Sequence, residues 1–371
     1  MKIGRAALLV VAVLMTACLW LTELVFSQGI HLRFWRFYAF RLALLGMSGI
    51  TLFLGLMWCV VRSRLSMSWK RCWSATYAIL LALLLLEGAF MFLPASHNVG
   101  YTLGAKVWSQ WYWKPVNSLG FRDPEHVAIP GKKLVFVVGD SFTAGAGIKR
   151  IEDRFSDLLG QQRPDLQVMN LGQCGGDSET EFRCLTKHPL SPDLLVLQYY
   201  VNDIEGTAAR AGRRMPSFSP HQDLPALLRP VVRNSFLLDF LYWRFGHGDE
   251  QAYVEYLQAA MADKEVLQRH LQELEKFCAY ATERGIPLVV VVFPCLQDLA
   301  LGRSLTAPVE RMFTAHDVPI VDVATLVESM DPADRTANHQ DAHPSPRVHR
   351  LVADALAKVV DAVFDQRSHH R

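Results

Sequence analysis

Charge is sparse in this chain and nearly cancels, leaving a net charge of +2 over 371 residues. A nucleic-acid binder needs a basic face to neutralise phosphates, and no basic stripe with interleaved aromatics appears, so no nucleic-acid partner is expected. Seven cysteines are present, with no CxxC pair and no Cys/His spacing suited to zinc. "GDSFTAGAG" follows a strand pattern but lacks the Gly-Lys-Ser/Thr ending of a phosphate-cradling loop, and no dinucleotide fingerprint follows any strand. The sequence therefore implies no metal and no organic cofactor. Cys174, Cys184, Cys278 and Cys295 lie in the more polar part. They read as buried free thiols, with one disulfide open to them if that part faces an oxidising space.

What the chain does have is apolar length, concentrated at its start. Residues 6–27, 42–61 and 74–95 each run for about 20 mostly apolar residues, enough to cross a hydrocarbon core of roughly 30 Å. Lys2 and Arg5 precede the first run, and Arg62, Arg64, Lys70 and Arg71 separate the second from the third. By the excess of positive charge on cytoplasmic loops, these segments lie inside and the long C-terminal part lies outside. Arg33, Arg36 and Arg41 in "HLRFWRFYAFR" fall on the other side and run against that rule. "LLVVAVLMTAC" ending at Cys18 has the look of a lipoprotein cleavage box, but "LWLTELVF" continues the run as a spanning helix would. Glu87 falls near the middle of the third run, where a carboxylate is costly and often functional. The plainer reading is a paired residue that holds the helices together.

Residues 97–131, rich in Trp, Tyr, Asn and Pro, read as a membrane-proximal connector. In 132–371, runs of strand length alternate with helical patterns. "KLVFVVG", "LQVMN", "DLLVLQYY", "PLVVVVF" and "VPIVDV" are the predicted strands, and their continuous Val/Leu content suits a parallel sheet covered on both faces. An insertion at about 205–250 contains the apolar "VVRNSFLLDFLYWRF", a helix expected to dock on the domain or the membrane. After it, 251–285 reads as one amphipathic helix ended by Gly285, and "SPRVHRLVADALAKVVDAVF" reads as a closing helix. The expected fold is α/β: a three-layer sandwich on a five-stranded, flavodoxin-like parallel sheet, preceded by three transmembrane helices. Ligands of such sheets collect outside the carboxyl ends of the strands.

Those ends carry an assortment suited to acyl transfer. The first strand ends in Gly139-Asp140-Ser141, and the second in "NLGQCGG" with Asn170, Gly172 and Gly175. The third ends in Tyr200-Val201-Asn202-Asp203, and Asp341 and His343 precede the last helix. A serine hydroxyl becomes a nucleophile when an imidazole takes its proton, and a carboxylate holds the tautomer of that imidazole. Backbone N–H groups of Ser141 and Gly175 and the amide of Asn202 could face a developing oxyanion. A plainer reading makes Asp140 and Ser141 a helix cap, Asn202-Asp203 a turn, Gly172 a tight-turn glycine, and His339 and His349 surface residues.

"GDSF", "NLGQCG", "VND" and "DAHPS", in that order, resemble the four blocks of the SGNH (GDSL-type) hydrolase superfamily, and "NSLGFRD" (117–123) resembles a segment that precedes them in many bacterial members. The resemblance implies an SGNH hydrolase fold, Ser141 as nucleophile and His343 as general base, with Asp341 as its orienter. It also implies an oxyanion hole from Ser141, Gly175 and Asn202. Two departures stand out. Tyr200 occupies a position where many members have Gly. Asp341 stands two residues before the His rather than three, where this chain has Gln340, so a dyad oriented by a backbone carbonyl stays open. The expected function is a membrane-anchored bacterial serine esterase, multi-pass in the inner membrane with its catalytic domain on the periplasmic side. Its expected substrate is an acylated, foremost acetylated, glycan or lipid of the envelope. An O-acetyltransferase of envelope or exported polysaccharide, and a non-catalytic glycan-binding scaffold of a modification or export complex, remain alternatives.

Overall fold

The structure is a computed structural model, and it describes residues 2–27, 34–62, 66–98, 100–216, 220–245 and 249–369. Arg33 and Arg64, used above to orient the chain, lie outside the described residues, as does part of the loop at 214–225. In chain order, α1 (Lys2–Ser27), α2 (Phe34–Met57), α3 (Met67–Met91) and α4 (Leu103–Tyr112) come first. They are followed by β1 (Lys133–Gly139), α5 (Ser141–Ala144), α6 (Phe155–Gln162), β2 (Leu166–Gly172), α7 (Ser178–Lys187), β3 (Leu194–Tyr199) and α8 (Ile204–Arg210). Next come α9 (Arg229–Asn234), α10 (Phe236–Arg244), α11 (Asp249–Ala262), α12 (Lys264–Glu283), β4 (Leu288–Val292) and α13 (Leu299–Ala315). The chain finishes with β5 (Ile320–Asp322), α14 (Val323–Leu326), α15 (Pro332–Arg335), β6 (Thr336–Asn338), β7 (Asp341–Pro344) and α16 (Pro346–His369). Two compact units result: Met1–Ala95, Val99–Trp111 and Ser219–Gly246 form one, and the remainder forms the other.

In the first unit, α1, α2 and α3 are each long and apolar enough to cross a membrane. Large apolar side chains such as Leu9, Ile50, Phe53 and Leu85 point outward, the inverse of a water-soluble bundle. The second helix starts earlier than expected, at Phe34, so "FWRFYAFR" is helical. Arg41 is thereby turned into the bundle, where it is wholly buried and bonds Glu87 at 2.6 Å. A paired, buried arginine is not a loop charge, which removes one of the three residues that ran against the orientation rule. Glu87 sits about one turn from the last residue of α3, not at mid-span. Cys18 is buried inside α1, which continues through it to Ser27.

In the second unit the five predicted strands form one parallel sheet of order β2-β1-β3-β4-β5. Alternate residues of β1 feed opposite cores: Phe136 and Val138 pack with Leu195 and Leu197 on one face, and Val135 and Val137 with Val196 on the other. Both faces are covered by helices, which is why these strands read as continuous rather than alternating apolar runs. A small antiparallel ribbon, β6–β7, follows the sheet and carries Asp341 and His343.

Two expectations are corrected here. The helix read over 251–285 is two helices, because Asp263 takes extended backbone and its carboxylate accepts from Glu265 N and Val266 N, capping α12. His349 is not a surface residue: it lies on the inner side of α16, fully buried, and accepts a 3.0 Å bond from Phe155 N. The cysteines are free thiols, but of the four in this unit only Cys278 is buried, and Cys174 is exposed.

Candidate active site

Strand order changes direction between β1 and β3, and in open α/β sheets that switch point is where ligands bind. Ser141 leaves the end of β1 and Asn202 the end of β3. The turn after β1 is sharp because Asp140 caps the following helix, its carboxylate accepting from Phe142 N at 2.8 Å. Capping and nucleophile readings therefore divide between two residues. Asp140 is the cap, whereas the Ser141 hydroxyl lies 2.7 Å from His343 Nε2. His343 Nδ1 lies 2.5 Å from Asp341 Oδ1, so serine, imidazole and carboxylate form one hydrogen-bonded chain. A carboxylate, not a backbone carbonyl, orients the ring.

Burial sets the electrostatics of the chain. Asp341 is fully buried and His343 is 7% exposed. Burial alone would drive the imidazole toward its neutral form. The Asp341 charge and hydrogen bond outweigh that and hold His343 above its ordinary value. Burial likewise pushes Asp341 up, but His343 and its hydrogen bonds bring the carboxyl below its usual range. Asp140 is pushed up by burial, against bonds from Phe142 N and Asn202.

Asn202 reaches the same turn, donating from Nδ2 to Asp140 Oδ2 at 3.0 Å. Gly175 stands in the exposed turn after β2 at φ +71°, and among the described residues no hydrogen bond ties it to Ser141. Gly172 is needed for a different reason: a Cβ there would sit 2.2 Å from Ala144 N, so β2 packs directly on the backbone of the serine turn. Its N–H is taken by Asn170 Oδ1 at 2.9 Å. Asn170 also donates to Thr143 O and to Ser156 Oγ, pinning β2 to the same turn. His339 is exposed and stands apart from the chain of bonds.

Comparison with protein-family models finds no match, and comparison with curated proteins finds none either. Solved structures do match. A member of the lipolytic G-D-S-L family from Veillonella parvula DSM 2008 is 13% identical, with 61% of this chain and 97% of that one covered and a TM-score of 0.36. The lipase/acylhydrolase from Enterococcus faecalis is 14% identical, with 62% and 96% covered and a TM-score of 0.37. The psychrotrophic esterase EstA from Pseudoalteromonas sp. is 10% identical, with 63% and 100% covered and a TM-score of 0.36. In fold, the likeness is to proteins described as G-D-S-L or SGNH hydrolases.

Beneath the four SGNH-like blocks lies a support that sequence reading missed. Gln198, in the middle of the apolar run of β3, accepts from Asp140 N, Thr143 N and Thr143 Oγ1 through one oxygen. A lone glutamine in a fully buried strand was the available signal, since a buried amide requires partners. Arg122, 1% exposed, donates to Gly145 O at 2.6 Å and Ile148 O at 2.7 Å, gathering the carbonyls that end the serine turn. Burial and the neighbouring Arg154 charge push its pKa down to about 10. Asp123 bonds Arg154 Nη2 at 2.7 Å and accepts from Asn170 N at 3.0 Å. The "NSLGFRD" segment is thus a clamp under the serine turn, through Arg122 and Asp123.

Proposed function

We propose that this chain is a membrane-anchored serine acyl hydrolase that cleaves short-chain, foremost acetyl, esters through an acyl-serine intermediate. The observation that carries the reading is the chain Ser141–His343–Asp341, at 2.7 Å and 2.5 Å. Ser141 Oγ attacks the ester carbonyl carbon while His343 Nε2 takes the hydroxyl proton, and Asp341 stabilises the imidazolium. The carbonyl oxygen becomes an oxyanion, received by the N–H groups of Ser141 and Gly175 and by the second amide N–H of Asn202. Collapse expels the alcohol, which takes the proton from His343. Water, deprotonated by His343, then attacks the acyl-serine carbonyl and releases the acid and free Ser141.

Preference for a short acyl group is supported by aromatics beside the serine. The Phe142 ring stacks on Tyr200 at 4.4 Å and lies 5.2 Å from the His343 ring. Tyr200 puts this ring where many members of the resembling family have glycine. The three apolar helices support a membrane location, and the charge asymmetry of the loops supports an extracytoplasmic catalytic unit acting on an envelope ester. The test is labelling by a fluorophosphonate. The native protein is expected to label and Ser141→Ala to remain unlabelled, while a native protein that never labels would end the enzymatic reading. Turnover of p-nitrophenyl acetate with and without an oligosaccharide separates hydrolysis from transfer, since only a transferase acetylates the acceptor.

A further inference from the structure

The Glu87 carboxylate has more partners than helix pairing requires. Besides Arg41, it accepts from Ser235 Oγ at 2.7 Å, Phe236 N at 2.9 Å and Leu237 N at 3.0 Å. It thereby sits at the N-terminus of α10, where unpaired backbone N–H groups and the helix dipole favour an anion. Arg41 completes the tie, donating to Cys18 O at 2.9 Å and Asn234 O at 3.0 Å. One buried ion pair therefore joins α1, α2 and α3 to Asn234 and Ser235, the vertex between α9 and α10.

The depth of that vertex follows from the helices that hold it. Cys18 lies nine residues before the end of α1, or about 13 Å at 1.5 Å per residue. Glu87 lies about 6 Å before the end of α3, which continues into exposed Phe92 and Leu93. With α1 to α3 spanning a bilayer, the vertex is below its surface. Neither α9, with 6 residues, nor α10, with 9, can reach the far side of a core of about 30 Å. Their outward side chains include Val231, Leu238, Phe240 and Leu241, with Leu228 and Phe245 just beyond their ends, while Arg233, half exposed, is paired with Glu23 of α1 at 3.0 Å. Two of their buried polar groups are satisfied within the protein: Asn234 Nδ2 donates to Pro230 O, and Asp239 accepts from Leu103 N. Lipid demands both properties. Arg229 stands at the start of the pair and Arg244 at its end, where long cationic side chains can reach headgroups.

We propose that α9 and α10 form a re-entrant hairpin, entering the bilayer from the side on which α3 ends and returning to it, with lipid acyl chains as its partner. This rests on the reading of α1, α2 and α3 as membrane-spanning, and goes beyond it by adding a fourth embedded element. Full-length protein in phospholipid vesicles is photolysed with two phosphatidylcholines, one carrying a diazirine near the headgroup and one deep in the acyl chain. Adducts are then mapped by peptide. The deep probe is expected to modify peptides of 227–245 within about threefold of its yield on α1 to α3, and at least about tenfold above its yield on α16, because only embedded residues meet the tails. Deep-probe adducts on α1 to α3 with background on 227–245 would overturn the hairpin and leave the spanning helices standing. Labelling of 227–245 by the shallow probe alone would also overturn it, as a surface-lying helix. Absence of adducts on α1 to α3 would remove the membrane reading and the hairpin with it.

Discussion

Replacing Asp341 by Asn tests the reasoning at its most exposed point, because the amide preserves shape while reversing one hydrogen bond. Asp341 Oδ1 lies 2.5 Å from His343 Nδ1, so the ring proton is held there and Nε2 offers a lone pair to the Ser141 hydroxyl at 2.7 Å. An asparagine NH2 facing Nδ1 would move that proton to Nε2, leaving the serine without a base. In the chymotrypsin-type triad the equivalent change costs about 10⁴ in rate. A loss of roughly 10³–10⁴ in kcat/KM is therefore expected, or about 4–5.5 kcal/mol at 1.36 kcal/mol per decade. A second signature is independent of the first. His343 must be neutral to act, and its pKa is raised in the native protein, so activity should fall as pH drops through a value above the ordinary ~6.5 of histidine. With the Asp341 carboxylate gone, burial is opposed only by the smaller effect of the Asp140 charge, and the acid limb should move below that value. The assay is p-nitrophenyl acetate hydrolysis from acid to neutral pH, with fluorophosphonate labelling counting competent serines. Activity retained within about tenfold, or an acid limb that does not move, would refute the assigned role of Asp341.

Three further outcomes follow from the same geometry. Tyr200→Ala removes the ring stacked on Phe142 and should raise kcat/KM for octanoate relative to acetate esters by about tenfold or more, as expected for several added methylenes. Unchanged chain-length preference would free Tyr200 of that role. Gly172→Ala places a methyl 2.2 Å from Ala144 N, against backbone that cannot turn aside. It should cost about 1–3 kcal/mol in urea melts, together with much of the activity, since the serine turn must shift. His349, its pKa pushed down by burial to about 3, stays neutral in the fold while the unfolded chain charges near 6.5. Folding stability should thus fall as pH drops from about 6.5 toward 3, and His349→Asn, an acceptor that does not titrate, should flatten the slope of Tm against pH.

Much of the fold was legible because its signals are local. Five Val/Leu runs became five parallel strands, and three apolar runs became three helices of spanning length. The break at Asp263 was legible too, in an aspartate followed by helix-forming residues, but the periodicity on both sides hid it. His349 was misread because one helical turn separates a buried from an exposed position, and a lone polar residue in a helix does not announce its face. Gln198, Arg122 and Arg154 act across the gaps between segments. Their partners at Asp140, Gly145 and Asp123 are distant in sequence and share no pattern with them.

The order of residues determined which side chains stand at the carboxyl ends of the strands, since alternation and turn chemistry are written within a few residues of each. It also determined the apolar lengths that decide what can sit in a bilayer. Tertiary structure alone decided that the Asp341 carboxylate meets His343 and that Glu87 receives the start of α10. Those contacts depend on distances between chain segments, and buried charges accept only the partners that packing brings within about 3 Å.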